Sequence, residues 1–230
     1  MVTDGTERRP ARVHTVRTTP DVLVPLVEAD RRGAAQVLAA ALADDPGYRH
    51  LFPDPRRREQ ELQALYRMTL DDAINHGRAY VTRIGSVVTG AIAIYPPHTY
   101  PMSTARWLRQ GLRIARMATI TREHSRGIAR FGSLTAGGVP TDAWYVEALG
   151  VRPDLQRAGR GYRLIQQAFA LADEAGERSY LETTKPENVA YYAEMGYEET
   201  GAQVSLAGDD GPWIVPMLRP AREAAAVRAA

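Results

Sequence analysis

The chain has no cysteine, which excludes disulfide bonds, thiolate metal sites and a cysteine-bound acyl intermediate. It also lacks any run of the roughly 20 apolar residues that a transmembrane helix needs. Residues 1–10 are polar and charged, without the apolar centre of a signal peptide, so we expect a cytoplasmic protein. The five histidines, at positions 14, 50, 76, 98 and 124, have no metal-ligand spacing, and we predict no metal site.

Lysine is almost absent, since Lys185 is the single lysine among 29 basic side chains. Arginine in place of lysine, with frequent alanine, is typical of a bacterial genome of high GC content. The formal net charge of +2 is too small to indicate nucleic-acid binding. Aromatic residues make up 7% of the chain and do not alternate with arginines as they would in a base-stacking surface. We therefore expect neither nucleic acid nor a membrane as a partner.

The 230 residues, of which 44% are apolar and 24% charged, have an ordinary globular composition that favours one α/β domain. We expect this domain to span 12–219, with flexible tails at 1–11 and 220–230. Asp54 before Pro55 is a helix-start pattern, and Gly77 is a helix stop. The other elements predicted in the first part are strands at 12–17, 79–83 and 87–95 and a helix at 34–43, which is broken at 44–47.

Residues 99–141 form the least regular section, and we predict an insert there. Its pattern predicts one amphipathic helix at about 104–119, followed by a glycine-rich loop around Gly137 and Gly138. Between 101 and 135 there are seven arginines and one acid, a local charge of +6. Three interpretations stay open: a solvated helix face, a lid or homodimer surface over an acceptor site, and a clamp for an anionic partner.

The second part is strongly patterned. A buried-type strand at 144–151 is followed by Gln156-x-x-Gly159-x-Gly161 and a helix at 161–175. A glycine turn that opens a helix presents backbone N–H groups, which can bind a phosphate or pyrophosphate. Arg157 and Arg160 would add positive charge. Further elements are predicted as strands at 180–184, 198–206 and 213–218, a helix at 187–195 and a hairpin turn at 208–211.

A second motif, Asn188-x-x-Tyr191-Tyr192-x-x-x-Gly196-Tyr197, follows some 30 residues later. Together the two motifs resemble those of the GCN5-related N-acetyltransferases (GNAT). The resemblance implies an α/β (α+β) fold, with a mixed, mostly antiparallel central sheet flanked by helices and a helical insert at about 99–141. It also implies acetyl-CoA as cosubstrate, bound by the following residues: Leu149, Gly150, Val151, Gln156, Arg157, Ala158, Gly159, Arg160, Gly161, Tyr162 and Asn188.

A narrower resemblance concerns three stretches. Ala43-Asp-Asp-Pro46-x-x-Arg49-His50, Trp144-Tyr145 and Leu181-Glu182-Thr183 are similar to the puromycin N-acetyltransferase branch of the family. That branch includes many proteins of unassigned substrate, so the similarity does not identify puromycin as the substrate.

The family resemblance implies direct acetyl transfer to an amine in a ternary complex. It assigns Tyr192 as the general acid that protonates the CoA sulfur, and it assigns the oxyanion donors to backbone N–H groups around Leu149. For Tyr191 we expect core packing. Glu147 is a candidate base, because a residue two positions before Leu149 should lie on the same strand face. Glu182, on the next strand, is the alternative base.

The acceptor is expected opposite CoA, near the break after the first helix. Candidate acceptor-binding residues are Asp44, Asp45, Tyr48, His50 and His98, of which His98 is also a remote candidate for the base. We interpret the chain as an acetyl-CoA-dependent N-acetyltransferase acting on a small-molecule primary amine, such as an antibiotic or a biosynthetic intermediate. Two alternatives are a peptide or protein N-terminal acetyltransferase and a non-catalytic acyl-CoA-binding sensor.

Overall fold

A computed structural model of the chain describes residues 21–209 and 211–222. The strand predicted at 12–17, the tail at 1–11 and all but the first residues of the tail at 220–230 lie outside these residues. No helix in the described ranges is long and apolar enough to cross a bilayer.

The described residues alternate between strands and helices. The strands are β1 (Val22–Pro25), β2 (Arg78–Ile84), β3 (Val87–Tyr95), β4 (Ala143–Val151), β5 (Arg178–Thr183), β6 (Glu198–Glu199), β7 (Val204–Ser205) and β8 (Trp213–Arg219). The α-helices are α1 (Arg31–Leu42), α2 (Pro46–Leu51), α3 (Pro55–His76), α4 (Thr104–Arg109), α5 (Gly111–Thr121), α6 (Ser125–Gly138), α7 (Arg160–Ala175) and α8 (Pro186–Ala193).

The strands form one central sheet in the order β1-β2-β3-β4-β5-β8-β6, and β7 pairs with β8 beside it. All neighbours are antiparallel except β4 and β5, which confirms the predicted mixed, mostly antiparallel sheet. Helices cover both faces. Alternate residues of β3 divide the core, since Ala91 and Ala93 belong to the α1 and α3 side, whereas Ile92 and Ile94 belong to the α7 side.

The parallel pair separates partway along its length. β4 and β5 pair from Ala143 with Arg178 to Val146 with Leu181. β4 nevertheless continues along β3 as far as Val151. From residue 147 onward, the other edge of β4 has no strand partner among the described residues, and a wedge-shaped gap opens between β4 and β5.

A bulge interrupts β4 at the start of this gap. Val146 pairs with Ile94, and Ala148 pairs with the adjacent Ala93, so Glu147 is the extra residue. A bulge of this kind shifts the alternation of the side chains that follow it.

Three local predictions need correction. The segment predicted as a glycine-rich loop is the helix α6, because burial of Ile128 and Thr135 on one face outweighs the low helix propensity of glycine. The single helix predicted at 104–119 is two helices, α4 and α5, which meet at Gln110. The predicted break at 44–47 contains the start of α2, where Asp45 is the N-cap.

The strand predicted at 198–206 is present only as β6 and β7, of two residues each. The helix starts and stops of α3 are confirmed, with the Asp54 side chain capping the first turn and Gly77 at the C-cap.

Candidate active site

A cavity of about 550 Å³ reaches into the gap between β4 and β5. α3 and the insert (residues 99–141, which include α4, α5 and α6) line it opposite the two strands. The sequence-predicted residues that line the cavity are Asp45, Tyr48, Glu147, Leu149, Glu182, Asn188 and Tyr192. Both candidate bases and the candidate acid therefore share one cavity.

The bulge determines where Glu147 points. Its Oε1 accepts a hydrogen bond of 3.1 Å from the Thr69 hydroxyl, so Glu147 faces α3. Leu149 instead packs against the core on the α7 side. The prediction that Glu147 and Leu149 share one strand face is wrong, because alternation does not continue across a bulge.

The environment of Glu147 favours its protonated form. Burial, with a smaller contribution from the Asp72 carboxylate, raises the pKa of Glu147 to about 7, against the lowering effect of the Thr69 hydrogen bond. Within the described residues, its Oε2 is buried and has no hydrogen-bond partner. A carboxyl group with a pKa near neutral and a free oxygen can exchange a proton with a ligand.

Glu182 lies on the same face as Glu147 and next to it in register. It follows Leu181, the last β5 residue paired with β4, and its Oε1 accepts a hydrogen bond of 2.9 Å from the Tyr180 hydroxyl. Burial raises the pKa of Glu182 to about 8, although hydrogen bonds from Tyr180 and Tyr145 lower it. Its Oε2 is likewise buried without a partner in the part of the chain that the structure describes.

Tyr192 and Asn188 lie one turn apart on α8 and both line the cavity. Tyr192 belongs to the core on the α7 side, so it reaches the cavity from the sheet face opposite Glu147. Burial raises the pKa of Tyr192, which keeps its hydroxyl protonated and able to donate. Asn188 does not cap its helix; its amide donates to the Thr183 hydroxyl at 3.4 Å.

Tyr191 is not a core residue, contrary to the prediction. It is 37% exposed, and its hydroxyl lies 3.5 Å from the position that a Cβ on Gly161 would occupy. The side chain therefore borders the glycine loop at the start of α7.

The glycine loop has the geometry of an anion site. Arg157 and Gly159 both adopt left-handed backbone angles, with φ of 60° and 74°, and α7 begins directly afterwards at Arg160. The first N–H groups of a helix have no carbonyl partner within the helix. The Gln156 amide braces the loop through a bond of 3.0 Å to the Val151 carbonyl. This loop can hold a phosphate through backbone donors.

The two arginines of the loop differ. Arg160 is engaged with Asp21, whose Oδ2 lies 2.6 Å from the Arg160 Nε, and it also donates to the Leu155 carbonyl. Arg157 is exposed. Only the guanidinium of Arg157 therefore projects from the loop towards solvent.

The remaining predicted cofactor-binding residues fall into two groups. Gly150 and Val151 are buried, and a Cβ on Gly150 would lie 2.8 Å from the Ala41 Cβ. Glycine is thus required there for close packing of β4 against α1. Ala158 and Tyr162 are exposed beside the loop.

The predicted acceptor residues are divided by the fold. Asp45 accepts hydrogen bonds from the Gly47 N–H at 2.9 Å and from the Thr184 hydroxyl, and its burial raises its pKa. Tyr48 accepts a bond of 2.6 Å from the Tyr66 hydroxyl. The other three are exposed and do not line the cavity: Asp44, His50 and His98.

Sequence reasoning did not single out much of the cavity wall. Thr69 and Tyr66 of α3 and the aromatic residues Tyr100, Trp107 and Phe131 of the insert all line it. The three aromatic residues stand out in the sequence, because the segment around them consists mostly of arginine and small residues. They could therefore have indicated a binding surface. Nothing in the sequence marks Thr69 as the partner of Glu147.

The cavity is acidic. Asp45, Glu147 and Glu182 line it, and no arginine, lysine or histidine is present among its described lining residues. Two insert arginines are directed elsewhere: Arg106 pairs with Asp72, and Arg113 pairs with Asp71 at 2.8 Å. Because these arginines pair with α3, the side chains that the insert contributes to the described cavity lining are uncharged.

Known proteins share both the sequence pattern and the fold of this chain. A sequence profile of the acetyltransferase (GNAT) family matches residues 44–197. Among solved structures, a histone acetyltransferase HPA2 and related acetyltransferase from Corynebacterium glutamicum is 20% identical, with a TM-score of 0.62 over 88% of this chain and 97% of that one. Arylalkylamine N-acetyltransferase 2 from Aedes aegypti is 10% identical, with a TM-score of 0.57 over 87% of this chain and 98% of that one.

The ribosomal-protein-S18-alanine N-acetyltransferase from Escherichia coli is 15% identical, with a TM-score of 0.51 over 90% of this chain and 98% of that one. At these identities the likenesses show a shared fold, and the named substrates belong to those proteins alone. The profile, however, covers more than half of the chain, including β4, α7, β5 and α8. The chain therefore belongs to the GNAT family of acetyltransferases.

Proposed function

We propose that this protein is an acetyl-CoA-dependent N-acetyltransferase that acts on the primary amine of a small molecule within a ternary complex. The observation that carries the proposal is the cavity in the gap between β4 and β5. Glu147 and Glu182 border it on the α3 face, and Tyr192 borders it from the α7 side. A proton acceptor and a proton donor thus flank the gap from opposite faces of the sheet.

The residues present fit coenzyme A. The loop from Gln156 to Gly161 would hold the pyrophosphate through backbone N–H groups, with added charge from Arg157. The unpaired edge of β4 after Glu147 offers backbone groups to an extended pantetheine arm, as a further strand would. Asn188 lines the cavity and would bind the same arm.

Acetyl-CoA supplies the acetyl group as a thioester. Glu147 takes a proton from the incoming ammonium, so that the neutral amine can form the C–N bond with the carbonyl carbon. Backbone N–H groups around Leu149 stabilise the negative charge that builds up on the carbonyl oxygen. Tyr192 gives its proton to the sulfur as the C–S bond breaks. The nitrogen loses a second proton as it becomes an amide, and this proton replaces the one that Tyr192 gave up, while the proton held by Glu147 returns to solvent.

The shape and charge of the cavity favour a small amine over an acidic peptide. The basic insert would favour acidic peptides only if its arginines faced the acceptor, and none of them lines the cavity in the described structure. Membership of the puromycin N-acetyltransferase branch stays a prediction. Of its stretches, Asp45 and Glu182 line the cavity, whereas Asp44 and His50 do not.

The test is release of free CoA thiol from acetyl-CoA over a panel of primary amines. We expect amine-dependent release, and we expect Tyr192→Phe to lower kcat at least tenfold while calorimetry shows unchanged CoA affinity. Tyr80→Phe is the matched control, because Tyr80 lies on β2 and does not line the cavity. Absence of CoA binding would overturn the proposal, and CoA binding without release for any amine would favour a sensor.

A further inference from the structure

The lack of a cationic side chain in the described lining of the cavity restricts the acceptor. A ligand bearing a carboxylate would be buried against Asp45, Glu147 and Glu182, with no cationic side chain in the described lining to balance it. An unpaired buried charge is strongly unfavourable. Amino acids and acidic peptides are therefore poor acceptors, whereas an amine without a carboxylate avoids this cost.

Most polar side chains of the cavity wall already form hydrogen bonds within the protein. Among the described residues that line the cavity, two carry a buried side-chain oxygen without a hydrogen-bond partner: Glu147 and Glu182, each through its Oε2. The Asp45 carboxylate and the Tyr66 hydroxyl already have partners in the protein. A polyhydroxylated or multiply charged amine would leave most of its polar groups without hydrogen bonds, at a considerable cost. A ligand with a single ammonium group needs fewer hydrogen-bond partners from the cavity wall than such an amine does.

Most of the rest of the wall is apolar, and it includes several aromatic rings. The Tyr48 ring lies 5.8 Å from the Phe131 ring and 6.0 Å from the Tyr66 ring, measured between centroids. The Tyr100 and Tyr145 rings lie 4.7 Å apart. Aromatic walls of this kind favour both a stacked ring and a cation over a ring face.

From these observations we propose that the acceptor is a monoamine with an apolar, ring-bearing body and no carboxylate. Its ammonium binds between Glu147 and Glu182, and its body lies against the aromatic wall formed by Tyr48, Tyr66 and Phe131. This inference rests on the proposed N-acetyltransferase function and names the substrate class of the same site.

The experiment compares four amines as acceptors in the thiol-release assay. 2-Phenylethylamine carries the ring, ethylamine lacks it, phenylalanine adds a carboxylate, and spermidine adds further charges. We expect kcat/KM for 2-phenylethylamine to exceed that for ethylamine at least tenfold, since burial of a ring contributes that much. We expect it to exceed the values for phenylalanine and spermidine by a larger factor.

Variants of the cavity wall test whether Phe131 contributes to the preference for 2-phenylethylamine over ethylamine. Phe131→Ala should lower the preference for 2-phenylethylamine over ethylamine several-fold through KM, and Phe131→Leu, which keeps most of the volume, should lower it less. Leu112→Ala is the matched control, because Leu112 is on the same insert and 90% exposed. An unchanged preference in Phe131→Ala would overturn the assignment of the wall.

A binding measurement separates the two proposals. Trp107 lines the cavity, so 2-phenylethylamine should change the tryptophan fluorescence of the protein, and Trp107→Phe should abolish the change. Binding without thiol release would contradict the transfer reaction but leave the acceptor class standing. Thiol release that is fastest with spermidine or phenylalanine would overturn the acceptor class but leave the reaction standing. Neither binding nor release would overturn both.

Discussion

Arg106 of α4 and Asp72 of α3 form an ion pair that is almost completely buried. The Asp72 carboxylate also accepts hydrogen bonds of 2.9 Å from the Tyr95 hydroxyl and the Gln110 amide. It lies close enough to Glu147 to raise the pKa of that carboxyl. The same aspartate therefore fastens the insert to α3 and influences the group that we assign as the base.

Asp72→Asn should destabilise the protein. The substitution leaves the buried Arg106 guanidinium without its counter-charge, and loss of one member of a buried pair costs about 3–5 kcal/mol. Urea denaturation at pH 7 measures the free energy of unfolding. Arg113→Ala is the control, because the Arg113 side chain is half exposed, and its loss should cost less than about 1 kcal/mol. Equal effects of the two variants would contradict a special role for the Arg106–Asp72 pair.

The rate of acetyl transfer should depend on the ionisation of Glu147. With a pKa of about 7, the carboxyl is protonated and unable to accept a proton at acidic pH, so kcat/KM should rise as the pH increases through about 7. Glu147→Gln should lower kcat/KM at least a hundredfold and remove this rise. A profile that keeps the same midpoint in Glu147→Gln would assign the titration to another group, Glu182 first.

Stability should fall with increasing pH because of Glu182. Its pKa is about 8 in the folded protein and roughly 4.3 in an unfolded chain. The folded state therefore holds a proton that the unfolded chain has lost, and the free energy of unfolding decreases as the pH rises between these values. Glu182→Gln should lose less stability from pH 5 to pH 8 than the unsubstituted protein in urea denaturation. Parallel losses would contradict the raised pKa.

Two adjacent glycines near the end of α6 should respond differently to alanine. A Cβ on Gly137 would meet nothing within 4 Å, whereas one on Gly138 would lie 3.1 Å from both the Glu182 Oε1 and the Tyr180 hydroxyl. Gly137→Ala should raise the free energy of unfolding by about 0.5–1 kcal/mol, because alanine favours a helix. Gly138→Ala should instead displace Glu182 and raise KM for the amine. Steady-state kinetics and urea denaturation on both variants provide the comparison.

The sequence predicted the mostly antiparallel sheet and the order of the elements that border the cavity. The strand at β4, the helix at α7 and the motif around Tyr192 are local patterns, with strong alternation, glycine boundaries and helical spacing in a few adjacent turns. Glu147 and Glu182, the two candidate bases, were predicted on neighbouring strands, and both line the cavity. Their shared cavity follows from the parallel pairing of β4 and β5.

The remainder depends on contacts between distant residues. No periodicity reveals that β4 gains one residue at Glu147, and the bulge reverses which side Leu149 faces. The role of the insert arginines was open in the sequence because their partners, Asp71 and Asp72, lie more than thirty positions earlier. α6 was missed because its glycines predict a loop, and only its packing over Glu182 and the cavity explains the helix.

The proposed reacting groups and two of the aromatic residues that line the cavity come from separate stretches of the chain. The groups assigned to bond making and breaking lie on β4, β5 and α8, whereas Trp107 and Phe131 belong to residues 99–141. Replacement of that one segment would remove Trp107 and Phe131 together with Arg106, the buried partner of Asp72, so it would change the environment of Glu147 as well as the cavity wall. The insert thus couples the wall of the cavity to the proton affinity of Glu147, and the two would change together if the segment were exchanged.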